Sequence, residues 1–176
     1  MVGCGVLVAC ALATGCGDDG GGGSIDAAST DASIDARPID AAACNAVVNQ
    51  GTLLATLQVA QAAPSPGGGT IVDGTYVVTA STIYTGVNGV TGPNGAMVRA
   101  TSVNSAGAYQ YIDDGGGTVN RSAGTYSTTT TNITIVQTCP DPTQLTFTRY
   151  DASPTALTIY DDTNIAAVVA VTFTKV

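Results

Sequence analysis

The chain has 176 residues, a net charge of −8 and only 10% charged residues. It contains no His, no Trp and no Glu, so all 13 acidic residues are Asp. The five Lys and Arg are scattered rather than clustered, so the sequence predicts no binding to nucleic acid, which needs a basic patch. The acidity is concentrated in residues 17–43, where six Asp face one Arg (6 − 1 = 5 negative charges).

The first 15 residues are uncharged and mostly apolar or small. Their apolar run, 6–13, is shorter than the about 20 residues of a membrane span and is typical of a secretory signal. The run leads into Leu12-Ala13-Thr14-Gly15-Cys16, which resembles the lipobox of bacterial lipoproteins, although Ala13 replaces the usual Leu. The resemblance implies a lipoprotein signal peptide (1–15) and lipid attachment at Cys16. A plain secretory signal and an apolar start of a cytosolic protein are the alternatives.

The next segment, residues 16–43, consists of the predicted lipid-attached Cys16 and a linker of low complexity. Ile-Asp-Ala recurs at 25–27, 34–36 and 39–41, and three Ile are the only large apolar residues. So little apolar surface does not offset the entropy of ordering the chain, so we expect a disordered Asp/Ala/Gly tether. In lipoproteins, Gly rather than Asp after the acylated Cys favours the outer membrane of a Gram-negative bacterium, and Gly17 stands there.

The predicted domain spans residues 44–176 and keeps two cysteines, Cys44 and Cys139. In an exported chain, one disulfide is the simplest use of two cysteines. A zinc site needs four ligands, and two thiols in a chain without His do not supply them, so we expect no metal. The paired Asp at 113–114 and 161–162 are interpreted as solvated turns rather than as a calcium site.

Residues 52–61 fit either a helix face or a strand face, and we predict a strand because Gly51 and the Pro- and Gly-rich 64–69 bound the run. Further along, the pattern predicts strands at 74–85, 96–103, 108–113 and 118–121, with a loop at 87–95. From 124 to 176, apolar residues alternate with hydroxyl or small residues in four runs, around Thr134, Thr146, Thr158 and Thr172. Turn residues separate the runs, so we expect eight to ten strands in a closed antiparallel barrel or a sandwich.

Four segments in this order, Gly74-Thr-Tyr76, Tyr109 to Thr118, Gly124-Thr-Tyr126 and the closing alternating runs, resemble the small lipocalin-like domains of bacterial lipoproteins. The resemblance covers residues 70–176, with Tyr76 where Trp is common. It implies an all-β, antiparallel up-and-down barrel. It implies no particular ligand, because a fold does not determine a function.

The lack of His and Glu removes the usual acid–base and nucleophilic pairs, so we expect no enzyme and no cofactor. All seven Tyr lie in the predicted domain, and an amphipathic Tyr can line a cavity or fill a core. Candidate ligand-binding residues are Tyr76, Tyr84, Tyr109, Tyr111 and Tyr126, with Arg149 as a polar partner. The alternative is that the Tyr rings fill the narrow barrel.

Two functional hypotheses remain open for a lipid-anchored protein of the cell envelope. An open, Tyr-lined barrel predicts binding of a small apolar or aromatic ligand. A filled barrel predicts a non-catalytic structural or interaction lipoprotein that contacts an envelope protein or glycan through its surface or through residues 85–95. In both, the membrane is a partner through the lipid anchor, and no particular protein partner is indicated.

Overall fold

The structure is a computed structural model that describes residues 44–147, 149–163 and 167–176. The predicted signal peptide (1–15) and the linker with Cys16 (16–43) lie outside these residues. The described residues contain eleven β-strands and no helix: β1 Leu54–Val59, β2 Gly74–Tyr84, β3 Gly92–Val98, β4 Ala100–Ser105, β5 Ala108–Asp113, β6 Asn120–Thr128, β7 Ile133–Cys139, β8 Thr143–Phe147, β9 Arg149–Ala152, β10 Ala156–Asp161 and β11 Val168–Lys175. Consequently, no helix in this part of the chain could cross a membrane.

The strands form one sheet in the order β8-β7-β6-β5-β4-β2-β11-β10-β9. All neighbours along this path are antiparallel. The remaining two strands form a side branch, in which β1 pairs in parallel with β2 and antiparallel with β3. The predicted all-β, antiparallel fold is confirmed.

The sheet curves into a nearly closed barrel because β8 and β9 flank Thr148 in the chain but pair with opposite ends of the sheet. The strand before this residue, β8, pairs with β7, and the strand after it, β9, pairs with β10. In the same way, β3 pairs with β1 and β4 pairs with β2 on either side of Arg99. Two runs of chain thus change partner midway, which gives eleven strands. If each of these two runs is counted as one strand, the total is nine (11 − 2), which lies within the predicted eight to ten.

The alternation predicted for residues 124–176 is confirmed. Ile133 and Leu157 are buried inside the barrel, whereas threonine hydroxyls pair across strands on the opposite face. Oγ1 of Thr158 on β10 lies 3.0 Å from Oγ1 of Thr172, its cross-strand partner on β11. Because side chains alternate between faces of a strand, apolar and hydroxyl residues in strict alternation separate a core face from an outer face.

Strand bounds differ from the predictions at four places. The predicted loop 87–95 contains the start of β3 at Gly92, and the predicted strand 96–103 divides at Arg99. The short strand predicted at 118–121 is part of β6, and β9 was not predicted at all. The sequence did not indicate β3, because Gly92 and Gly95 have positive φ angles (104° and 86°) and a proline lies between them. The strand accepts this proline because it pairs with β1 alone. The predicted strands at 52–61 and 74–85 are confirmed as β1 and β2.

One end of the barrel is filled by large side chains. This closed end is where the β4–β5, β6–β7 and β9–β10 connections lie. The rings of Tyr76, Tyr150 and Phe173 pack there, and Tyr76 is 0% exposed. Tyr76 donates a hydrogen bond to the carbonyl of Val72 at 2.6 Å, and Tyr150 donates one to that of Gly69 at 2.7 Å. Both acceptors belong to the β1–β2 connection, which therefore seals this end.

Gly68 holds that connection against the edge of the sheet. Its amide donates to the Tyr150 carbonyl at 2.8 Å, and its carbonyl accepts from the Ala152 amide at 2.7 Å. Its φ of +66° lies in the left-handed region, and a Cβ at this position would stand 1.8 Å from the Thr130 carbonyl oxygen. Gly68 therefore fits between β9 and the β6–β7 turn only because it has no side chain.

We expect Gly68→Ala to lower the free energy of unfolding by about 2–4 kcal/mol, since it adds both backbone strain and a clash with a main-chain oxygen. Gly116→Ala is the matched control, because a Cβ there meets nothing within 4 Å. Urea unfolding of the two variants measures the difference. Equal stabilities would contradict the close packing at Gly68.

A disulfide joins Cys44 to Cys139 with an S–S distance of 2.06 Å, as the sequence predicted. It fastens a segment, residues 44–51, to the outside of the barrel. Nδ2 of the Asn45 side chain donates to the carbonyls of Tyr111 (3.1 Å) and Ser122 (2.9 Å), and the backbone amide of Gln50 donates to Oγ1 of the buried Thr101. The disulfide and these bonds place the start of the domain beside the β7–β8 connection.

Candidate functional site

The barrel encloses a cavity of about 580 Å³, within the usual range for small-molecule sites. It lies between the closed end and the opposite end, where β5, β7 and β10 end. The largest group of its lining residues is apolar and comes from the inward positions of four strands: Ile133, Ile135, Leu145, Phe147, Leu157, Ile159, Val169, Val171 and Phe173. The two Ile at 133 and 135 are on β7, the residues at 145 and 147 on β8, those at 157 and 159 on β10, and the last three on β11.

A second wall of the cavity is aromatic. Tyr109 and Tyr111 lie two residues apart on β5 and both face inward, and Tyr126 joins them from the neighbouring β6. Burial raises the pKa of Tyr111, and the charge of Asp113 raises it further. The Tyr111 hydroxyl has no hydrogen-bond partner among the described residues, so it is a polar group that a ligand can reach inside an apolar space.

The lining becomes polar at the end opposite the closed end, which we call the polar end of the cavity. Its side chains come from β5, β6, β7 and β10: Asp113, Asn120, Ser122, Gln137 and Asp161. Arg121 also borders the cavity, but its guanidinium group binds residues 44–51. Asn120 and Leu145 are the exposed residues among those that line the cavity, and Leu145 lies on the β8 edge that lacks a second strand partner. Solvent therefore reaches the cavity at the polar end and along β8.

Hydrogen bonds at the polar end fix its geometry. Asn120 donates from Nδ2 to Oδ1 of Asp113 at 3.0 Å, and Gln137 donates from Nε2 to the Asp141 carbonyl at 2.9 Å. Burial raises the pKa of Asp113; the Asn120 hydrogen bond opposes this shift, and the charge of Asp114 adds to it. The result is a partly desolvated carboxyl group that faces an apolar space.

The structure separates the predicted ligand-binding residues into two groups. Tyr109, Tyr111 and Tyr126 line the cavity together. Tyr76 belongs to the packed core, and Tyr84, at the end of β2, is not part of the lining. The lining likewise does not include Arg149.

Arg149, predicted as the polar partner of the cavity tyrosines, lies on the other face of the sheet. Its guanidinium group sits 5.3 Å from the centre of the Tyr160 ring and donates to the Pro64 carbonyl. Tyr160 in turn donates to Oδ2 of Asp151 at 2.7 Å. Arg149 and Asp151 thus share a polar cluster under the β1–β2 connection rather than the cavity.

The sequence pattern does not reveal the polar end, because it assigns Asp113 and Asp161 to solvated turns. The signal was present in the two-residue period. Asp113 continues the inward row of Tyr109 and Tyr111, and Asp161 continues that of Ile159. A residue at the end of a strand keeps the facing of its row, so both carboxylates point toward the cavity.

No protein-family model, no curated protein and no solved structure matched this chain. Within the described ranges, no group of three or more His, Cys, Asp or Glu is arranged to hold a metal ion. The inference of function therefore depends on the cavity and its lining.

Five of the seven tyrosines have a pKa raised mainly by burial: Tyr76, Tyr109, Tyr111, Tyr126 and Tyr160. In a spectrophotometric titration we expect most phenolate absorbance of the folded chain to appear above pH ~10, the ordinary value, and that of the urea-unfolded chain near it. Because the raised values belong to the folded state, stability is retained below pH ~10 and decreases as the pH rises through the folded-state values. Superimposable curves would contradict the burial of these hydroxyls.

Proposed function

We propose that this chain is a lipid-anchored, lipocalin-like protein of the cell envelope whose barrel binds a small apolar or aromatic ligand. The observation that carries the proposal is the cavity of about 580 Å³, which is lined on one side by aliphatic residues and Phe and on the other by Tyr109, Tyr111 and Tyr126. The alternative in which tyrosines fill the barrel would leave no such space. The proposal assigns no catalytic residue and no cofactor.

The chemistry of the walls favours an apolar occupant. At about 30 Å³ per molecule, the space would hold about 19 waters, far more than the few polar groups of the lining could bind. A ligand that displaces this water and buries its apolar surface gains about 25 cal/mol per Å². Aromatic ligands gain further from offset or edge contacts with the three Tyr rings.

The position of Cys44 is consistent with an anchored binding protein. The proposed tether ends at this residue, which the disulfide ties to Cys139, and the next residue, Pro140, lines the cavity. The tether therefore joins the domain on the side of the polar end. We propose that acylated Cys16 holds the protein on the outer membrane of a Gram-negative bacterium. The entrance of the cavity would then lie on the side of the domain where the tether joins it, at Cys44.

Blocking the cavity should weaken binding strongly. Ser122 lines the cavity on β6, whereas Thr125 on the same strand is exposed and outside the lining. We expect Ser122→Phe to weaken binding of a neutral aromatic probe, 2-naphthalenemethanol, by at least about tenfold, because the added ring occupies the site. Thr125→Phe, the matched control, should bind as the unchanged chain does. Isothermal titration calorimetry measures both, and equal affinities for the two variants would count against the cavity as the site.

A second candidate function is an interaction surface, which the β1–β3 branch favours. Large apolar side chains are exposed just before β1, on β1 and β3, and on the connection between β2 and β3: Leu53, Leu57, Val87, Val90 and Met97. Val87 is 76% exposed, and exposed apolar groups of this kind are typical of protein contacts. In this candidate the branch contacts an envelope protein or glycan. Cross-linking in intact cells with photoreactive residues at positions 87 and 90 tests it, and cross-links confined to the chain itself would contradict it.

A further inference from the structure

Two strands on different walls of the cavity carry the same order of side chains from the closed end to the polar end. Each presents two apolar or aromatic residues and then a carboxylate: Tyr109, Tyr111 and Asp113 on β5, and Leu157, Ile159 and Asp161 on β10. On β7, Gln137 occupies the corresponding position. The cavity is therefore apolar along most of its length and ends in hydrogen-bond acceptors.

These acceptors are only partly occupied within the protein. Oδ1 of Asp113 accepts from Asn120, and Oδ1 of Asp161 accepts from the backbone amide (3.0 Å) and hydroxyl (2.7 Å) of Thr163. In the described part of the chain, no donor reaches the second oxygen of either carboxylate. Gln137 uses its amide nitrogen on the Asp141 carbonyl, so its oxygen remains as an acceptor. A ligand that bonds to this end must supply donors.

The cation of the lining does not neutralise the two carboxylates, because it is directed toward residues 44–51. Nη1 of Arg121 donates to the carbonyl of Asn45 (3.2 Å), to its side-chain oxygen (3.1 Å) and to the carbonyl of Val47 (2.6 Å). Asp141 lies in the β7–β8 connection at the same end and adds negative charge. The potential at this entrance therefore attracts cations.

We propose that the ligand of the cavity is an apolar primary amine, whose ammonium group binds Asp113 at the polar end while its apolar body lies between the aliphatic and tyrosine walls. An ammonium group has three donors and no acceptor, which matches the carboxylate and amide oxygens at this end. The Tyr111 ring, next in the row behind Asp113, also offers a π face to a cation. This inference rests on the proposed function and adds to it that the ligand carries a positive charge.

The strand geometry sets the length of the ligand. Asp113 lies four residues from Tyr109 along β5, which is about 14 Å at ~3.4 Å per residue. An amine whose apolar body is up to about that length places its charge at the polar end and its far edge against the closed end. A carboxylic acid of the same shape would place its negative charge beside two carboxylates, so the cavity selects against it.

Three probes that share one ring system test the charge directly: 2-naphthylmethylamine, 2-naphthalenemethanol and 2-naphthoate. The full-length chain is held in nanodiscs of zwitterionic lipid, with the Ser122→Phe variant as the blank for binding to the lipid. By calorimetry we expect the amine to bind about tenfold more tightly than the alcohol, and the acid most weakly, because charge-assisted hydrogen bonds are about twice as strong as neutral ones. If the alcohol binds as tightly as the amine, the inference is overturned and the proposed function stands. If no probe binds beyond the blank, both are overturned.

Two substitutions locate the effect. Asp113→Asn removes one carboxylate of the polar end and should reduce the preference for the amine over the alcohol by about tenfold. Asp141→Asn removes a charge of the same sign from an exposed position at the same end, outside the lining, and should change that preference less than about twofold. Equal losses in the two variants would show that the attraction is diffuse and would overturn the assignment to Asp113.

Discussion

Removing the disulfide is expected to lower the free energy of unfolding by about 4–5 kcal/mol, the largest effect that we predict for this chain. Cys44 and Cys139 are 95 residues apart, so their bond closes most of the domain into one loop. In the chain-entropy argument, opening a loop of about 100 residues restores to the unfolded state freedom worth about 4.7 kcal/mol. Such a loss is a large part of the roughly 5–15 kcal/mol that stabilises most domains.

The measurement compares urea unfolding of the oxidised chain with that of a Cys44→Ser, Cys139→Ser double variant. Asn45→Ala is the control that keeps the covalent bond but removes the four hydrogen bonds of this side chain, two donated by Nδ2 to the barrel and two accepted by Oδ1 from Val47 and Arg121. It should cost about 2–4 kcal/mol, less than the disulfide, since a typical hydrogen bond contributes about 0.5–1.5 kcal/mol and this residue is only partly buried. A double variant that loses less than the Asn45 variant would contradict the entropic role of the disulfide.

Truncating Tyr76 is expected to have the second-largest effect, a loss of about 3–5 kcal/mol for Tyr76→Ala. The ring is completely buried among the side chains of the closed end, so its removal leaves a void that the neighbours cannot fill. Tyr76→Phe keeps the ring and removes only the 2.6 Å hydrogen bond to Val72, so it should cost about 1 kcal/mol.

Tyr111→Ala provides the comparison between packed and cavity-lining tyrosines. The Tyr111 ring borders open space, so it has fewer packing contacts to lose and should cost less than Tyr76→Ala. Thermal or urea unfolding of the three variants measures the order. If Tyr111→Ala were as damaging as Tyr76→Ala, the two rings would be equally packed, and the space described beside Tyr111 would not exist.

The sequence predicted the architecture well where local patterns determine it. Alternation around Thr134, Thr146 and Thr158 specified which side of each strand faces inward, since that side is set by a two-residue period. It did not predict that β8 and β9 pair with opposite ends of the sheet, because pairing between distant strands leaves no local pattern. The proline and left-handed glycines of β3 likewise resemble a loop until its partner β1 is known.

The site was only partly predictable for the same reason. The two-residue spacing of Tyr109 and Tyr111 indicated a shared face, and the structure places that face on the cavity. Nothing local distinguished Tyr76, which packs in the core, from Tyr111, which lines open space, because the difference depends on the β1–β2 connection sealing one end. Arg149 was paired with the tyrosines by charge alone, whereas its strand turns it to the other face of the sheet.

The most direct test of the central claim, that the barrel binds a small apolar ligand, is native mass spectrometry of the full-length chain recovered from a bacterial envelope. We expect an additional mass of small-molecule size that is retained under gentle ionisation and lost on denaturation, and that is absent from the Ser122→Phe variant. A bare chain in both proteins, unchanged after incubation with envelope extract, would contradict the claim.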